Sequence, residues 1–162
     1  MNRKIHSPDN IINILQKYNS KIIGFTNGCF DIIHIGHIRM LTEIKKNCDI
    51  LVVALNSDTS IKRLKGDKRP ITPLNERTEI IAALECVDFV TYFDEDTPIN
   101  LILKIKPQIL AKGGDWDKAN IVGSDIVVKN GGKVLSLAYI KGSSTTNIID
   151  KIVNLYSNDR KF

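Results

Sequence analysis

The sequence has few cysteines and no long apolar run. No apolar stretch reaches the ~20 residues that a membrane-spanning helix needs, and no apolar segment follows the charged amino terminus as in a secretory signal peptide. The three cysteines, Cys29, Cys48 and Cys86, stand far apart and form no Cys-x-x-Cys pair. Such a set argues against a disulfide framework and against a zinc site. We therefore expect a cytoplasmic protein that does not bind a membrane.

Aromatic residues are also scarce, at 6% of the chain, while basic residues are in excess. The 23 lysines and arginines outnumber the 18 acidic residues and give a net charge of +5. Such an excess suits nucleic acid, an anionic membrane or a small polyanion. Five of the nine residues from Lys62 to Pro70 are basic, and the remainder is close to balanced. A local cluster with few stacking aromatics favours a phosphorylated small molecule over nucleic acid.

The 162 residues suit one domain, and no Pro/Gly/Ser-rich linker divides them. We expect a single domain 1–162, with an N-terminal helical extension over residues 1–20 and a core over residues 21–156. Ser7 can cap the helix of this extension, whose apolar residues include Ile11 and Leu15. That apolar face needs a partner surface, which either the sheet or a second copy of the chain could supply.

Apolar runs alternate with segments of helical periodicity along the core. The predicted strands are 21–26, 50–55, 87–93, 108–112 and 133–140. The predicted helices are 35–47, 59–65, 73–86, 97–106 and 144–156. This alternation predicts an α/β fold: a doubly wound, mostly parallel, five-stranded Rossmann-like sheet with helices on both faces. In such a sheet the ligand lies beyond the carboxyl ends of the strands, where the strand order reverses.

Two histidines, His34 and His37, stand three residues apart at the start of the helix that follows the first strand. A helix start attracts phosphate, and Gly36 lets phosphate approach the backbone closely. Imidazoles at this position can stabilise charge on phosphate oxygens during attack at phosphorus. The spacing alone also fits incidental surface residues or metal ligands. A third ligand is hard to name, because the remaining histidine, His6, lies outside the core.

The basic residues of this region fall into three sets, and each set has its own explanation. Lys65 and its neighbour Arg69 can neutralise a converging phosphate, since a flexible cation reduces the repulsion between two polyanions. Lys62 and Arg63 fit a solvated basic face better. Arg77 lies in an apolar helical register, where a guanidinium needs either a phosphate or an intramolecular carboxylate to offset its desolvation.

Two further segments combine small or hydroxyl residues with a helix or strand end. Ser144–Thr146 precedes an apolar run, which fits either a plain helix cap or a phosphate site at a helix start. Lys112–Trp116 follows the fourth strand, and its two glycines permit close approach of a base or ribose. Trp116 could stack on that ligand or cover the core.

The segment GCFDIIHIGH resembles the signature of the cytidylyltransferase-like nucleotidyltransferases. Four more segments agree with that family in order and spacing, NSDTSIKRLKG, RPITPLNERTEIIAALECVD, LAKGGDW and GSSTTNIID. Together they cover about residues 21–153. Within the family, the chain is most similar to the adenylyltransferase domains of the ADP-heptose branch, which many bacteria fuse to a sugar kinase. Tyr139 stands where the glycerol-phosphate cytidylyltransferases have an arginine, and Gly114 where they have an acidic residue, which weakens a cytidylyltransferase assignment.

The resemblance implies transfer of AMP from ATP to D-glycero-D-manno-heptose 1-phosphate, which gives ADP-heptose and pyrophosphate for lipopolysaccharide core or surface glycan synthesis. It also implies Mg2+ held mainly by the ATP phosphates, a homodimer, and a separate sugar kinase that supplies the acceptor. A cytidylyltransferase for glycerol 3-phosphate or another polyol phosphate is one alternative. A nucleotide-binding module without catalysis is another.

The same resemblance assigns roles to individual residues. The expected catalytic residues are His34, His37 and Lys65. The expected nucleotide-binding residues are Thr26, Asn27, Gly28, Phe30, Gly36, Lys112, Gly113, Gly114, Asp115, Ser144, Thr145 and Thr146. The expected acceptor-binding residues are Asp31, Asn56, Asp58, Lys65, Arg69 and Arg77. Asp31 also fits a loop residue that caps backbone amides. Since no nucleophilic side chain is needed, Cys29 is expected to pack.

Overall fold

The computed structural model describes residues 3–114, 116–138 and 142–157. Within these ranges five strands form one sheet: β1 Ile23–Gly28, β2 Ile50–Asn56, β3 Phe89–Phe93, β4 Ile109–Gly113 and β5 Lys133–Leu137. The strand order is β3-β2-β1-β4-β5, and every neighbouring pair is parallel. The predicted doubly wound, Rossmann-like α/β fold is confirmed, and the described sheet is wholly rather than mostly parallel.

Seven α-helices lie in the described ranges: α1 Pro8–Leu15, α2 Ile35–Lys45, α3 Asp58–Lys65, α4 Leu74–Ala82, α5 Ile99–Ile105, α6 Ser124–Lys129 and α7 Thr145–Tyr156. Short 3-10 turns occupy Gln16–Tyr18 and Lys118–Asn120. Helix α6 is absent from the predicted elements, because its six residues are too few for a helical period to show. Two predicted ends run long, because α4 stops at Ala82 and β5 stops at Leu137, with Ala138 outside the strand. Tyr139 and Ile140, the last two residues of the final predicted strand, lie outside the described residues.

Two apolar layers cover the two faces of the sheet. Because side chains alternate along a strand, Phe25 of β1 faces the layer that contains Ile11 of α1 and Ile102 of α5. Val53 of β2 faces the opposite layer, with Ile81 of α4. All seven residues of β2 are buried, as expected of a parallel strand covered on both faces.

The described residues that precede α1 pack on this sheet. Ile5 forms a parallel bridge with Val90 of β3, the edge strand. The Oγ of Ser7 then accepts a hydrogen bond from an amide of α1 and caps it. Ile11 and Leu15 of α1 are buried in the layer that α5 also joins. The partner surface that the amphipathic face of α1 needs is therefore supplied by the sheet and α5.

The crossovers place a ligand site between β1 and β4. From β1 the chain moves to β2 and β3 on one side, and then returns to β4 on the other side of β1. The strand order reverses at this point, so the loops after β1 and β4 diverge and leave a crevice at the carboxyl edge. No described helix has both the length and the apolar character needed to cross a membrane.

Candidate active site

A cleft of about 480 Å³ opens at the carboxyl edge of the sheet, where the crossovers place a ligand site. It is lined by the loop after β1, the starts of α2 and α7, and the ends of β2, α3 and β4. Sixteen predicted site residues line it: Asn27, Gly28, Phe30, Asp31, His34, Gly36, His37, Asn56, Lys65, Arg69, Lys112, Gly113, Gly114, Ser144, Thr145 and Thr146. The structure thus brings most of the predicted site together from six segments.

Three predicted residues do not line the cleft. Thr26 is fully buried within β1. Arg77 and Asp58 pair with each other beneath the cleft wall. Asp115, and Tyr139 of the last motif, lie outside the described residues.

Several lining residues are absent from the predicted site: Cys29, Met40, Leu64, Asp96, Trp116, Ala138 and Ser143. Met40 follows His37 by three residues on α2, so helical spacing alone could have placed it on the same face. Asp96 and Ala138 carry no such local signal, because only the tertiary fold brings their loops to the cleft.

The two histidines stack against each other at the N-terminus of α2. Their ring centroids are 3.8 Å apart, with an interplanar angle of 27°. His34 occupies the N-cap position but makes no side-chain cap hydrogen bond. Among the described residues, the buried Nδ1 atoms of His34 and His37 have no hydrogen-bond partner. Buried polar atoms are normally paired, so these two nitrogens are exceptions among the described residues.

Burial sets the charge of this histidine pair. It lowers the pKa of His37 to about 4, and the adjacent His34 acts in the same direction. Burial also lowers the pKa of His34. Both imidazoles are therefore neutral at pH 7, and each has one N–H to donate. Neutral donors can hydrogen-bond phosphate oxygens without placing two positive charges in one stack.

Gly36 makes room for the His34 ring. A Cβ at position 36 would lie 2.9 Å from the Nδ1 atom of that ring. A side chain there would push His34 away from His37 and disturb the stack. Packing thus requires the glycine, independently of the close phosphate approach that the sequence predicts.

Asp31 binds the basic loop rather than presenting a free carboxylate. Its side chain is fully buried and accepts a 2.5 Å hydrogen bond from Arg69 Nε. It also accepts hydrogen bonds from the backbone N–H groups of Ile71 (2.8 Å) and Thr72 (2.9 Å). These bonds fit the alternative that the sequence also allows, in which Asp31 caps backbone amides. Because Asp31 also lines the cleft, its acceptor-binding role stays a prediction.

Arg77 meets an intramolecular carboxylate rather than a ligand. Its guanidinium is fully buried, and its NH2 donates to Asp58 Oδ1 at 2.8 Å and to the carbonyl of Asn56 at 2.9 Å. The NH1 group donates to the carbonyl of Cys29 at 2.6 Å, and Nε donates to that of Thr72 at 2.9 Å. These bonds occupy the guanidinium, as in the intramolecular alternative that the sequence also allows, and the acceptor-binding roles of Arg77 and Asp58 stay predictions. Arg77 joins the loops that follow β1 and β2 to the loop before α4.

The basic residues near α3 divide into paired and unpaired groups. Arg63 binds Asp96 at 2.8 Å and Asp94 at 3.8 Å, so this part of the predicted solvated face is ion-paired. Arg69 is held by Asp31. Lys65 is exposed at the cleft wall and forms no ion pair within the described ranges. Its ammonium is therefore free to meet an anionic ligand.

The two glycines after β4 lie against bulky neighbours. A Cβ at Gly113 would lie 2.5 Å from Met40 Sδ, and one at Gly114, whose φ is +118°, would lie 2.6 Å from Trp116 Nε1. The indole N–H of Trp116 donates to the carbonyl of Gly113 at 3.1 Å. Since Trp116 is 52% exposed and lines the cleft, it forms part of the wall and does not cover the core.

The start of α7 closes the remaining side of the cleft. Ser144 Oγ caps this helix by accepting a 3.0 Å hydrogen bond from the N–H of Asn147. Thr145 Oγ1 donates to the carbonyl of Ile32 at 3.4 Å, which ties α7 to the loop after β1. Two helix starts, those of α2 and α7, therefore border one cleft, and each offers the free amides that attract phosphate.

The fold, the cleft and the paired histidines define an enzyme of the nucleotidyltransferase class. A model of the cytidylyltransferase-like family matches residues 25–151, and the chain belongs to that family. The membership predicted from the sequence motifs is confirmed.

Curated relatives of high identity carry the name bifunctional protein HldE. The protein from Geobacter metallireducens is 48% identical over 158 residues, which cover 96% of this chain and 32% of the relative. The protein from Rhodopseudomonas palustris strain BisA53 is 52% identical over 132 residues, which cover 82% of this chain and 27% of the relative. The chain thus spans about a third of the length of these relatives.

Two solved structures share the fold. The lipopolysaccharide core biosynthesis protein from Thermoplasma volcanium is 31% identical with a TM-score of 0.63, over 75% of this chain and 99% of that one. The pantoate-beta-alanine ligase from Francisella tularensis has the same TM-score of 0.63 at 17% identity, over 98% of this chain and 79% of the ligase. The second likeness supports the fold alone.

The Arg77 fork gives a testable expectation for stability. Replacing Arg77 with Met leaves several carbonyl groups and Asp58 without their donor, which we expect to cost about 3 kcal/mol of unfolding free energy. Urea denaturation measures this loss. The exposed Glu79 of the same helix provides the control, since Glu79→Gln should change stability by less than ~0.5 kcal/mol. A loss below ~1 kcal/mol for Arg77→Met would contradict the role assigned to the fork.

The buried histidine pair predicts a pH dependence. His37 should titrate near pH 4 in an NMR titration of its ring protons, below the ordinary histidine value of 6.5. Because the unfolded chain takes up this proton near pH 6.5 and the folded chain does not, unfolding free energy should fall as the pH drops from 6.5 towards 4. His37→Asn should remove that part of the slope in urea titrations at several pH values. A His37 that titrates at or above pH 6.5 would show that burial does not control its charge.

Proposed function

We propose that the protein transfers AMP from ATP to a sugar phosphate, with D-glycero-D-manno-heptose 1-phosphate as the acceptor. The observation that carries the proposal is the cleft itself. The stacked His34–His37 pair and Lys65, which forms no ion pair within the described ranges, line the same cleft of about 480 Å³ at the switch point of the sheet. A site of this kind suits two phosphorylated ligands that must meet despite their charges. The motif resemblance to the ADP-heptose branch supports the choice of acceptor.

The proposed reaction is an in-line exchange at the α-phosphorus of ATP. An oxygen of the acceptor phosphate forms a bond to that phosphorus, while the bond from phosphorus to the oxygen bridging to the β-phosphorus breaks. The electron pair of the broken bond leaves with pyrophosphate. Because a phosphate monoester is already anionic near neutral pH, no side chain has to remove a proton from it. The protein contributes positioning and charge stabilisation.

The two walls of the cleft divide these tasks. The α2 start with its neutral histidines, and the α7 start with Ser144–Thr146, face the triphosphate and stabilise charge that builds on the departing pyrophosphate. Lys65 and the Asp31-held Arg69 face the acceptor phosphate on the other wall. The loop Gly113–Gly114 with Trp116 borders the nucleoside.

Mg2+ fits this cleft as a companion of ATP. The described residues contain no cluster of three or more His, Cys, Asp or Glu side chains suited to hold a metal ion. The buried carboxylate in the cleft, Asp31, is already used by Arg69 and two amides. Phosphate oxygens and water are ligands that Mg2+ accepts readily, so the ATP phosphates would hold it. When bound, it would neutralise part of the triphosphate charge.

The wider setting is also proposed. We infer a nucleotidyltransferase domain that acts in the cytoplasm and receives its acceptor from a sugar kinase. We further propose a homodimer. Its support is the outer part of α7, where Ile152, Val153, Leu155 and Tyr156 are each at least half exposed.

A substrate panel tests the reaction. ATP with D-glycero-D-manno-heptose 1-phosphate should release pyrophosphate. Replacing ATP with CTP, or the heptose phosphate with glycerol 3-phosphate, should strongly lower the rate of release. A coupled pyrophosphate assay measures all four combinations under the same conditions. Turnover with CTP and glycerol 3-phosphate alone would discard the heptose assignment and support the cytidylyltransferase alternative.

Replacement of a cleft histidine tests catalysis against simple binding. His34→Ala and His37→Ala should each lower kcat for pyrophosphate release by about 10²–10³-fold, since each removes a donor to developing charge. ATP affinity, measured by calorimetry, should change far less. His6→Ala, outside the cleft, is the matched control and should retain kcat within about twofold. Unchanged pyrophosphate release in both cleft variants, with ATP still bound, would disprove the transition-state role.

A further inference from the structure

Lys112 is a partly buried cation at the cleft, and the described residues give it no counter-ion. It lies near the end of β4, beside β1, and its ammonium donates to Asn27 twice, to the backbone carbonyl at 3.1 Å and to Oδ1 at 3.2 Å. Both acceptors are neutral. Within residues 3–114, 116–138 and 142–157 no carboxylate pairs with Lys112. A partly desolvated ammonium in this position is stabilised by an anion, and the described residues do not supply one.

The other cleft cations differ from Lys112 in this respect. Arg69 is neutralised by Asp31, and Lys65 is exposed to water, which solvates its charge. Burial lowers the pKa of Lys112, Lys65 pushes it in the same direction, and Cys29 pushes it upward. The cleft therefore holds a positive charge that is poorly stabilised until a ligand arrives.

The position of Lys112 indicates which part of the ligand it meets. It directly precedes Gly113 and Gly114, which line the cleft together with Trp116. The proposed function has the nucleoside beside this part of the cleft. The phosphate attached to the nucleoside is the α-phosphate, so in that arrangement this group would lie nearest to the ammonium. The β- and γ-phosphates would then extend towards the starts of α2 and α7.

We propose that the Lys112 ammonium binds the non-bridging oxygens of the ATP α-phosphate and that Asn27 aims it there. This inference rests on the proposed function and deepens it by naming the residue at the reacting phosphorus. Lys112 keeps its protons throughout and forms no bond to phosphorus. It lowers the negative charge that the attacking acceptor phosphate meets, and it neutralises charge that builds on the same oxygens as the new bond forms. The two bonds to Asn27 limit the freedom of a flexible side chain before ATP binds.

Binding of AMP and adenosine isolates the α-phosphate contact. Calorimetry should show that the wild-type protein binds AMP more tightly than adenosine, because only AMP carries that phosphate. In Lys112→Met and Lys112→Gln the preference for AMP should fall about tenfold or more, while adenosine affinity stays near the wild-type value. Lys112→Gln is the more informative variant, since its amide still donates to Asn27 and supports the fold without a charge.

Lys133 supplies the matched control. It is an exposed lysine at the start of β5, at the end of the strands away from the cleft. Lys133→Met should therefore keep the wild-type preference for AMP. An unchanged preference in Lys112→Gln, or equal losses for AMP and adenosine, would overturn the proposal and leave Lys112 a structural residue. A wild-type protein that binds both ligands equally would overturn it too. Since no acceptor is present, an error in the proposed acceptor would appear only in the pyrophosphate assay.

Discussion

The cleft depends on the buried fork of Arg77. Its guanidinium reaches the carbonyl of Cys29 after β1, that of Asn56 at the end of β2, and Asp58 at the start of α3. These segments would otherwise be independent loops at the sheet edge. A planar group with five donors in fixed directions can hold all of them in one arrangement, which a lysine ammonium could not. Asp31 extends the same framework by binding Arg69 and the backbone of the basic loop.

Charge in the cleft is consequently divided between groups that build the site and groups that remain available. Arg77 and Arg69 already have carboxylate partners, so they contribute shape more than attraction. The neutral imidazoles, Lys65 and Lys112 keep donors that no protein carboxylate occupies within the described part of the chain. Such a division lets the protein attract polyanions without the instability of many unpaired buried cations. The histidines fit the same logic, because their neutrality avoids adding charge to the α2 start.

Much of the architecture could be predicted from the sequence, because each strand is a short apolar run and the helices between them show a clear period. β2 is the clearest case, since its unbroken apolar run matches a strand that is buried on both faces. The motifs likewise identified most lining residues of the cleft. Side-chain partners were harder to predict from the sequence. Arg77 donates to the carbonyl of Cys29, 48 residues away, and Arg69 donates to Asp31, 38 residues away. No local pattern distinguishes an arginine that meets a phosphate from one that meets such distant carbonyls.

The bridge between Ile5 and Val90 covers part of an edge of the sheet. β3 is an edge strand, and an edge strand offers unpaired N–H and C=O groups on which another chain can add a strand. By occupying part of that edge, the segment before α1 shields it from intermolecular pairing. A shortened protein that begins at residue 21 would expose both this edge and the apolar surface under Ile11, so its expected failure is self-association before any loss of the catalytic cleft.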